Sequence, residues 1–287
     1  MTDKKLYWTR TISSFLFVLF MMPLGHAFMI IMEHLLQPPA LHYAGFLLGF
    51  AGLAIVITGV FVKGDTRQTI FGLIGGLLFW TGWVEFLFLY YARRYGVQPE
   101  IVNGEVVTKP EYLILPATFG LWAMVMTLYL FGAQTGCNFI NWWQRRLFGK
   151  CKHEIVAHPI TRHTSIVAFM ELNMILWTSY LLLMFCYDSR FLGDHHPITY
   201  LVGAICLAGS IYIFRMQLRR KSWGANIRMA IATVIVFWTP VEILGRINFF
   251  TEVWVQPLKY SGIMIAIAVA FIVLSAILVM KSKRENK

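Results

Sequence analysis

The sequence predicts an all-α integral membrane protein of eight transmembrane helices, built as two parallel four-helix repeats with both termini in the cytoplasm. Composition and a motif that occurs twice lead to this prediction. Of the 287 residues, 58% are hydrophobic and only 14% are charged, whereas a soluble domain carries about 25% charged residues. The apolar residues form long runs, and such runs need lipid rather than water around them.

Eight apolar segments follow one another along the chain, at residues 11–36, 43–62, 69–92, 112–132, 164–187, 198–214, 229–250 and 258–280. Each is about long enough to cross ~30 Å of hydrocarbon, the sixth only marginally. Unpaired backbone polar groups are costly in lipid, so every segment is predicted to be a helix. The first run is too long for the core of a signal peptide and lacks a small-x-small cleavage site, so we predict that it is the first span.

The basic residues predict the orientation. Most of the 25 Lys and Arg residues fall in the N-terminal tail, in alternate loops and at the C-terminus. Because cytoplasmic loops are rich in Lys and Arg, these parts are placed inside, and we expect a bacterial inner membrane. The net charge of +11 then reflects topology and attraction to lipid headgroups. It does not indicate a nucleic-acid partner.

The repeated motif suggests an internal duplication. Phe-Trp-Thr-Gly-Trp-Val-Glu at 79–85 returns as Phe-Trp-Thr-Pro-Val-Glu at 237–242, and Val-Gln-Pro follows at 97–99 and 255–257. The first copy has one extra residue near Gly82. Since each half has four segments, the repeats are predicted to be parallel. They span residues 1–136 and 161–287, and the aromatic and basic stretch 137–160 is predicted to be an amphipathic cytoplasmic linker.

Two smaller patterns predict local structure. Asn103-Gly104 between short apolar runs predicts a β-hairpin at 101–107. Glycines recur at helical spacing in the second and third segments, where they permit close contact between helices. They are Gly45, Gly49, Gly72, Gly75 and Gly76.

Ionisable and polar groups inside the segments are the candidate functional residues, because such groups are costly in a membrane and usually face a protein interior or a wet cavity. Most are predicted to lie in the outer half of the bilayer. Glu85 and Glu242 occupy matched places in the two halves, and Arg246 stands one helical turn after Glu242, where an ion pair can form. The candidate substrate- or ion-binding residues are Glu85, Glu242, Arg246, His26, Glu171, Asn173 and Asn248.

A metal site is a second hypothesis, since carboxylate and imidazole groups suit iron, manganese or zinc. Its candidate ligands are Glu33, His34, Glu85 and Glu242. No Glu-x-x-His pattern supports it. No Walker loop, Gly-x-Ser-x-Gly elbow or His-Glu-x-x-His motif occurs either, so nucleotide-driven, serine-hydrolase and zincin chemistry are not indicated.

Gly82 and Pro240 interrupt corresponding helices just before each Glu, and matched interruptions in two halves are typical of transporter binding sites. The function predicted first is therefore a carrier or channel-like protein for a small solute or ion that uses buried carboxylates. One alternative is a membrane subunit of a redox enzyme that binds quinol or a metal near the outer face. Another is a structural or assembly subunit with protein partners in a membrane complex. Neither metal nor quinone is assigned as a cofactor from the sequence.

Overall fold

The helices follow the apolar segments. The computed structural model describes residues 6–102, 105–131, 138–148 and 163–285. In order they form α1 (Trp8–Leu35), α2 (Ala40–Phe61), α3 (Asp65–Phe79), a π-helical turn (Trp80–Glu85), α4 (Phe86–Arg94), β1 (Glu100–Val102), β2 (Glu105–Thr108), α5 (Pro110–Ile114), a 3₁₀ turn (Leu115–Thr118), α6 (Phe119–Phe131), α7 (Asn138–Phe148), α8 (Thr164–Tyr187), α9 (Pro197–Gln217), α10 (Trp223–Arg246) and α11 (Ser261–Glu285).

Among the described residues, seven helices are long and apolar enough to cross a membrane: α1, α2, the continuous α3–α4 unit, α8, α9, α10 and α11. They identify a polytopic integral membrane protein. The predicted fourth segment is divided into α5, the 3₁₀ turn and the 13-residue α6. Pro116 lies in that turn and has no N–H for a helical bond. The count of eight spans therefore stays a prediction, as does the orientation.

The spanning helices form a central group and an outer group. Within their most apolar stretches, α10 is 61% buried and α11 is 11% buried. The central helices α1, α3, α8 and α10 supply most of the main apolar core. The apolar outer surfaces of α2, α9 and α11 suit lipid rather than water. α2 packs on α3 as α9 packs on α10, and α3 packs on α8 as α1 packs on α10. Parallel repeats predict such pairings, and the repeats remain an interpretation.

The glycines of α2 and α3 permit the close contact predicted from their spacing. A Cβ at Gly49 would overlap the Trp83 ring, and one at Gly45 would overlap Phe86. Trp83 donates its indole N–H to the Phe46 carbonyl at 2.9 Å. α2 is thus held against the helix that carries the first copy of the motif.

The π-helical turn coincides with the extra residue of the first copy. It covers Trp80–Glu85, whereas Trp238 to Glu242 remains within α10 and contains Pro240. A π turn holds one residue more than an α turn. The extra residue of the first copy therefore falls within a turn that can accommodate it.

The hairpin and the linker agree with the sequence in part. β1 and β2 pair antiparallel, although Asn103 and Gly104 lie outside the described residues. Asn138–Phe148 is a helix, α7. The rest of the predicted linker, from residue 149 to 160, lies outside the described residues.

The ends of the bundle differ in packing. The starts of α1, α3, α8 and α10 meet at one end, the predicted inner end, and their terminal parts meet at the predicted outer end. At the inner end Asn226 donates to the Thr11 hydroxyl at 3.0 Å and accepts from Gln217 at 2.9 Å. All three side chains are fully buried. Nearby, Arg228 pairs with Asp65 at 2.8 Å. This end is closed by satisfied polar contacts.

Candidate functional site

His26 lies between the two repeated carboxylates. Its Nε2 atom is 2.8 Å from the Tyr180 hydroxyl and 3.4 Å from Oε1 of Glu242. Glu242 Oε1 also accepts the indole N–H of Trp238 at 2.6 Å. No described residue bonds to Oε2 of Glu242. α1, α8 and α10 thus meet at one partly buried polar cluster.

Glu85 reaches the same cluster from the end of the π-helical turn. It accepts the Tyr112 hydroxyl at 3.3 Å, and the Tyr112 ring stacks on Tyr180 with centroids 5.5 Å apart and planes at 9°. Glu85 and His26 both line a small void of about 20 Å³. A space of that size can hold one water. Both Glu of the motif therefore lie close to one imidazole, Glu242 in direct contact with it and Glu85 as a neighbour that lines the same small void.

Glu242 opens onto a much larger space. A cavity of about 760 Å³ at the predicted outer end is lined by His26, Glu242 and the ends of α8 and α10. This volume falls in the range of small-molecule sites. Glu85 does not line it, so the two carboxylates do not share this cavity.

The cavity exists because α10 ends early. α10 stops at Arg246, only four residues after Glu242, whereas α4 continues for nine residues beyond Glu85. Asn248 has a φ of 58°. Its N–H bonds the Gly245 carbonyl at 2.8 Å, and the Phe249 N–H bonds Leu244 at 3.0 Å. This is a Schellman C-cap, for which Asn is a suitable left-handed residue. The chain then leaves the helix axis, and the loop 248–256 forms much of the cavity wall.

Arg246 connects three parts of the outer end. Its guanidinium pairs with Glu100 at 3.1 Å and with Asp194, and it also donates to Thr108. It lies 4.2 Å from the centroid of the Tyr187 ring. The predicted ion pair with Glu242 is not among those formed by the described residues. Instead Arg246 joins α10 to the hairpin and to the α8–α9 loop, because both bring carboxylates to the helix end.

Glu252 was not among the predicted site residues because it falls in the loop between the predicted seventh and eighth apolar segments. It lines the cavity, and its side chain lies against Gly245, where a Cβ would meet it. Burial and the nearby carboxylate of Glu242 raise the pKa of Glu252 to about 7, against the opposing effects of His26 and Arg246. The outer cavity therefore contains, besides Glu242, a carboxyl group whose pKa is raised to about 7.

The remaining predicted residues are dispersed. Glu171 is buried in α8, and Asn173 donates to its own helix at Phe169. Asn248 lines the cavity.

Of the predicted metal ligands, Glu33 pairs with Arg93 at 3.0 Å, and His34 Nδ1 lies 2.8 Å from the Ile30 carbonyl. Within the described parts of the chain, no three His, Cys, Asp or Glu side chains are grouped to hold a metal. The metal hypothesis gains no geometric support.

Tyr112, Tyr180 and Tyr187 were also absent from the predicted site. A tyrosine in an apolar segment looks like part of an aromatic belt, and no local spacing distinguishes these three from the others. Their role depends on contacts across helices, such as the 154 positions that separate His26 from Tyr180.

Known proteins give no guide to this site. Searches of protein-family models, of curated proteins and of solved structures give no match for this chain. Its function is therefore inferred from the geometry of the cluster around His26 and of the outer cavity.

Proposed function

We propose that the protein is a proton-coupled carrier of a small solute, with its solute site in the outer cavity. The observation that carries the proposal is the position of His26 between Glu242 and Glu85. An imidazole can accept a proton on one nitrogen and release it from the other. A proton on Glu242 can therefore pass to His26 and, through a water in the small void, to Glu85.

The cavity connects a solute to this proton path from Glu242 through His26 to Glu85. Glu242 belongs both to the proton path and to the cavity wall, so its protonation state changes the charge that a bound solute meets. Binding of a solute to the cavity and protonation of Glu242 are then linked thermodynamically, and each changes the affinity for the other by the same factor. Such a link is what a coupled carrier requires.

The packing beneath the cavity favours a carrier over an open channel. Phe17, Met21, Leu73, Leu172 and Ile231 are fully buried in the main core. Together with the polar contacts of the inner end, they pack the bundle on the inner side of His26. Movement of a solute therefore requires a rearrangement of the bundle, for which Gly82 and Pro240 mark places where helical bonding is already interrupted.

Uptake into vesicles tests the proposal. Purified protein in liposomes is given a pH gradient and a panel of labelled cationic, zwitterionic, anionic and neutral small solutes. We expect gradient-dependent accumulation of at least one solute and a loss of about tenfold or more in Glu242→Gln and in Glu85→Gln. Asp188→Asn is the matched control, because it removes an outer carboxylate that does not line the cavity. Folded protein with no gradient-dependent uptake, or with uptake unchanged in both Gln variants, would contradict the proposal.

The same preparation separates the alternatives. A redox subunit would retain a quinone or a chromophore through gentle purification and show no gradient-driven uptake. A structural subunit would show neither, and it would lose stability without its protein partners. The predicted inner membrane and cytoplasmic termini belong to the proposal too, and the accessibility of single cysteines placed near each terminus tests them.

A further inference from the structure

The charge of the outer cavity is unbalanced. Glu242 and Glu252 line it, and the cationic groups that the described residues place there are Arg246, Lys109 and, when protonated, His26. Arg246 is already paired with two other carboxylates, those of Glu100 and Asp194. With His26 neutral, Lys109 opposes two carboxylates of the wall, while Arg246 is paired with its own partners. The field inside the cavity favours a positive ligand.

Two polar atoms of the cavity wall have no hydrogen-bond partner among the described residues, and a ligand could supply one. Tyr187 is 7% exposed and lines the cavity. Its buried hydroxyl has no hydrogen-bond partner among the described residues. Most buried polar atoms are satisfied, so such a group calls for an explanation. Glu242 adds Oε2, because its two contacts with His26 and Trp238 both fall on Oε1. The site thus offers one hydroxyl and one carboxylate oxygen.

Aromatic rings complete the wall. Trp254 and Phe250 line the cavity with ring centroids 6.0 Å apart, and Trp254 packs on Trp238, the donor to Glu242, at 4.8 Å. Tyr180 and Tyr187 line it from α8. Aromatic faces attract cations, and they stabilise organic ammonium groups in particular, because the rings also contact the carbon substituents. A hydrated metal ion would gain little from such a wall.

We propose that the outer cavity binds a small organic cation, an ammonium held by the carboxylates of Glu242 and Glu252 and by the surrounding aromatic rings. This inference rests on the proposed carrier function, for which it names the substrate class. With His26 neutral, an anion would meet two carboxylates opposed by one lysine. A neutral solute would leave the two carboxylates facing that single lysine in a partly desolvated site, which is unfavourable.

Isothermal titration calorimetry with the full-length protein in nanodiscs at pH 8, above the pKa of about 7 of Glu252, tests the proposal directly. The probes are choline and phenethylammonium, each beside an uncharged isostere, dimethylbutanol and phenethyl alcohol. We expect both cations to bind at least about tenfold more tightly than their isosteres, since a hydrogen-bonded or paired charge contributes more than a neutral contact. We expect Glu252→Gln to weaken binding of the cations about tenfold and to leave the isosteres unchanged.

Two further variants make the result specific. Tyr187→Phe keeps the ring and removes the hydroxyl, and it should weaken choline, which has a hydroxyl of its own, more than phenethylammonium. Asp188→Asn removes a carboxylate outside the cavity, and its affinity for both cations should equal that of the wild type. Equal affinity for cation and isostere, or equal cation affinity in wild type and Glu252→Gln, would overturn the proposal.

The outcome is distinguishable from that of the uptake experiment. Cation binding without gradient-driven uptake would retain the site and remove the carrier function. Gradient-driven uptake confined to anions or neutral solutes would retain the carrier and remove the organic-cation site.

Discussion

Glu252→Gln is expected to change the pH dependence of stability. The carboxyl group lies in the wall of the outer cavity beside Glu242, and its pKa is raised by burial from 4.5 to about 7. A raised pKa means that the folded protein favours the protonated group. The associated stability is fully present below pH ~4.5 and is lost as the pH rises through about 7. Glutamine resembles the protonated carboxyl at every pH.

The size of the effect follows from the two pKa values. At about 1.36 kcal/mol per pH unit, the change from 4.5 to about 7 corresponds to ~3 kcal/mol. Glu252 borders an open cavity, so solvent screening reduces the expected difference to about 1–2 kcal/mol. The variant should differ least from the wild type at pH 5, and its advantage in stability should grow to about that amount at pH 8.

Thermal unfolding in nanodiscs, followed at pH 5, 6, 7 and 8, measures this difference. Each kcal/mol should shift the midpoint by roughly 2–4 °C. Asp188→Asn is the control, because it removes one negative charge yet leaves an acceptor for the Arg190 N–H, which Asp188 binds at 2.9 Å. A difference between Glu252→Gln and wild type that is the same at pH 5 and pH 8 would refute the reasoning, and so would a variant that is less stable at pH 8.

Two other substitutions test the packing around the site. Gly82→Ala should destabilise the protein by about 1–3 kcal/mol, because its Cβ would overlap the backbone of Gly49 in α2. Gly262→Ala in α11 is the control, because a Cβ there meets open space, and it should change the midpoint of thermal unfolding little. Equal shifts in the two variants would contradict the close-packing argument. Arg246→Gln leaves the carboxylates of Glu100 and Asp194 without their shared cation, so the rate of backbone amide hydrogen exchange in β1 and β2 should rise about tenfold or more. Unchanged exchange in the hairpin would show that Arg246 does not stabilise it.

The sequence was sufficient for features that depend on neighbouring residues. The lengths of the apolar runs indicated the seven spanning helices that the structure describes, because a helix in lipid satisfies the hydrogen bonds of its own backbone. The Asn-Gly pair and its flanking residues indicated the hairpin, and glycine spacing indicated the contact of α2 with α3. The predicted helix at 112–132 is described as far as Phe131, and it is interrupted by a 3₁₀ turn that contains Pro116.

The candidate site was predictable only in part. The repeated motif marked Glu85 and Glu242, and their helix positions indicated a common depth with His26. The sequence did not indicate that one imidazole lies between them, because that geometry depends on how α1, α8 and α10 pack. The i, i+4 spacing predicted an ion pair between Arg246 and Glu242, whereas Arg246 pairs with Glu100 and Asp194. That spacing considers residues of one helix and takes no account of carboxylates that the hairpin and a loop bring to the helix end.

The sequence by itself thus determined the set of apolar helices and the pair of matched carboxylates, both of which follow from local composition and spacing. The tertiary structure alone decided that α10 stops at Arg246 before a left-handed Asn248, that the loop after it encloses a cavity, and that Glu252 and Tyr187 line it. These features depend on contacts between residues distant in the chain, such as the 146 positions between Arg246 and Glu100. Such contacts leave no periodic signal in the sequence, because their free energy comes from packing that forms only when the helices assemble.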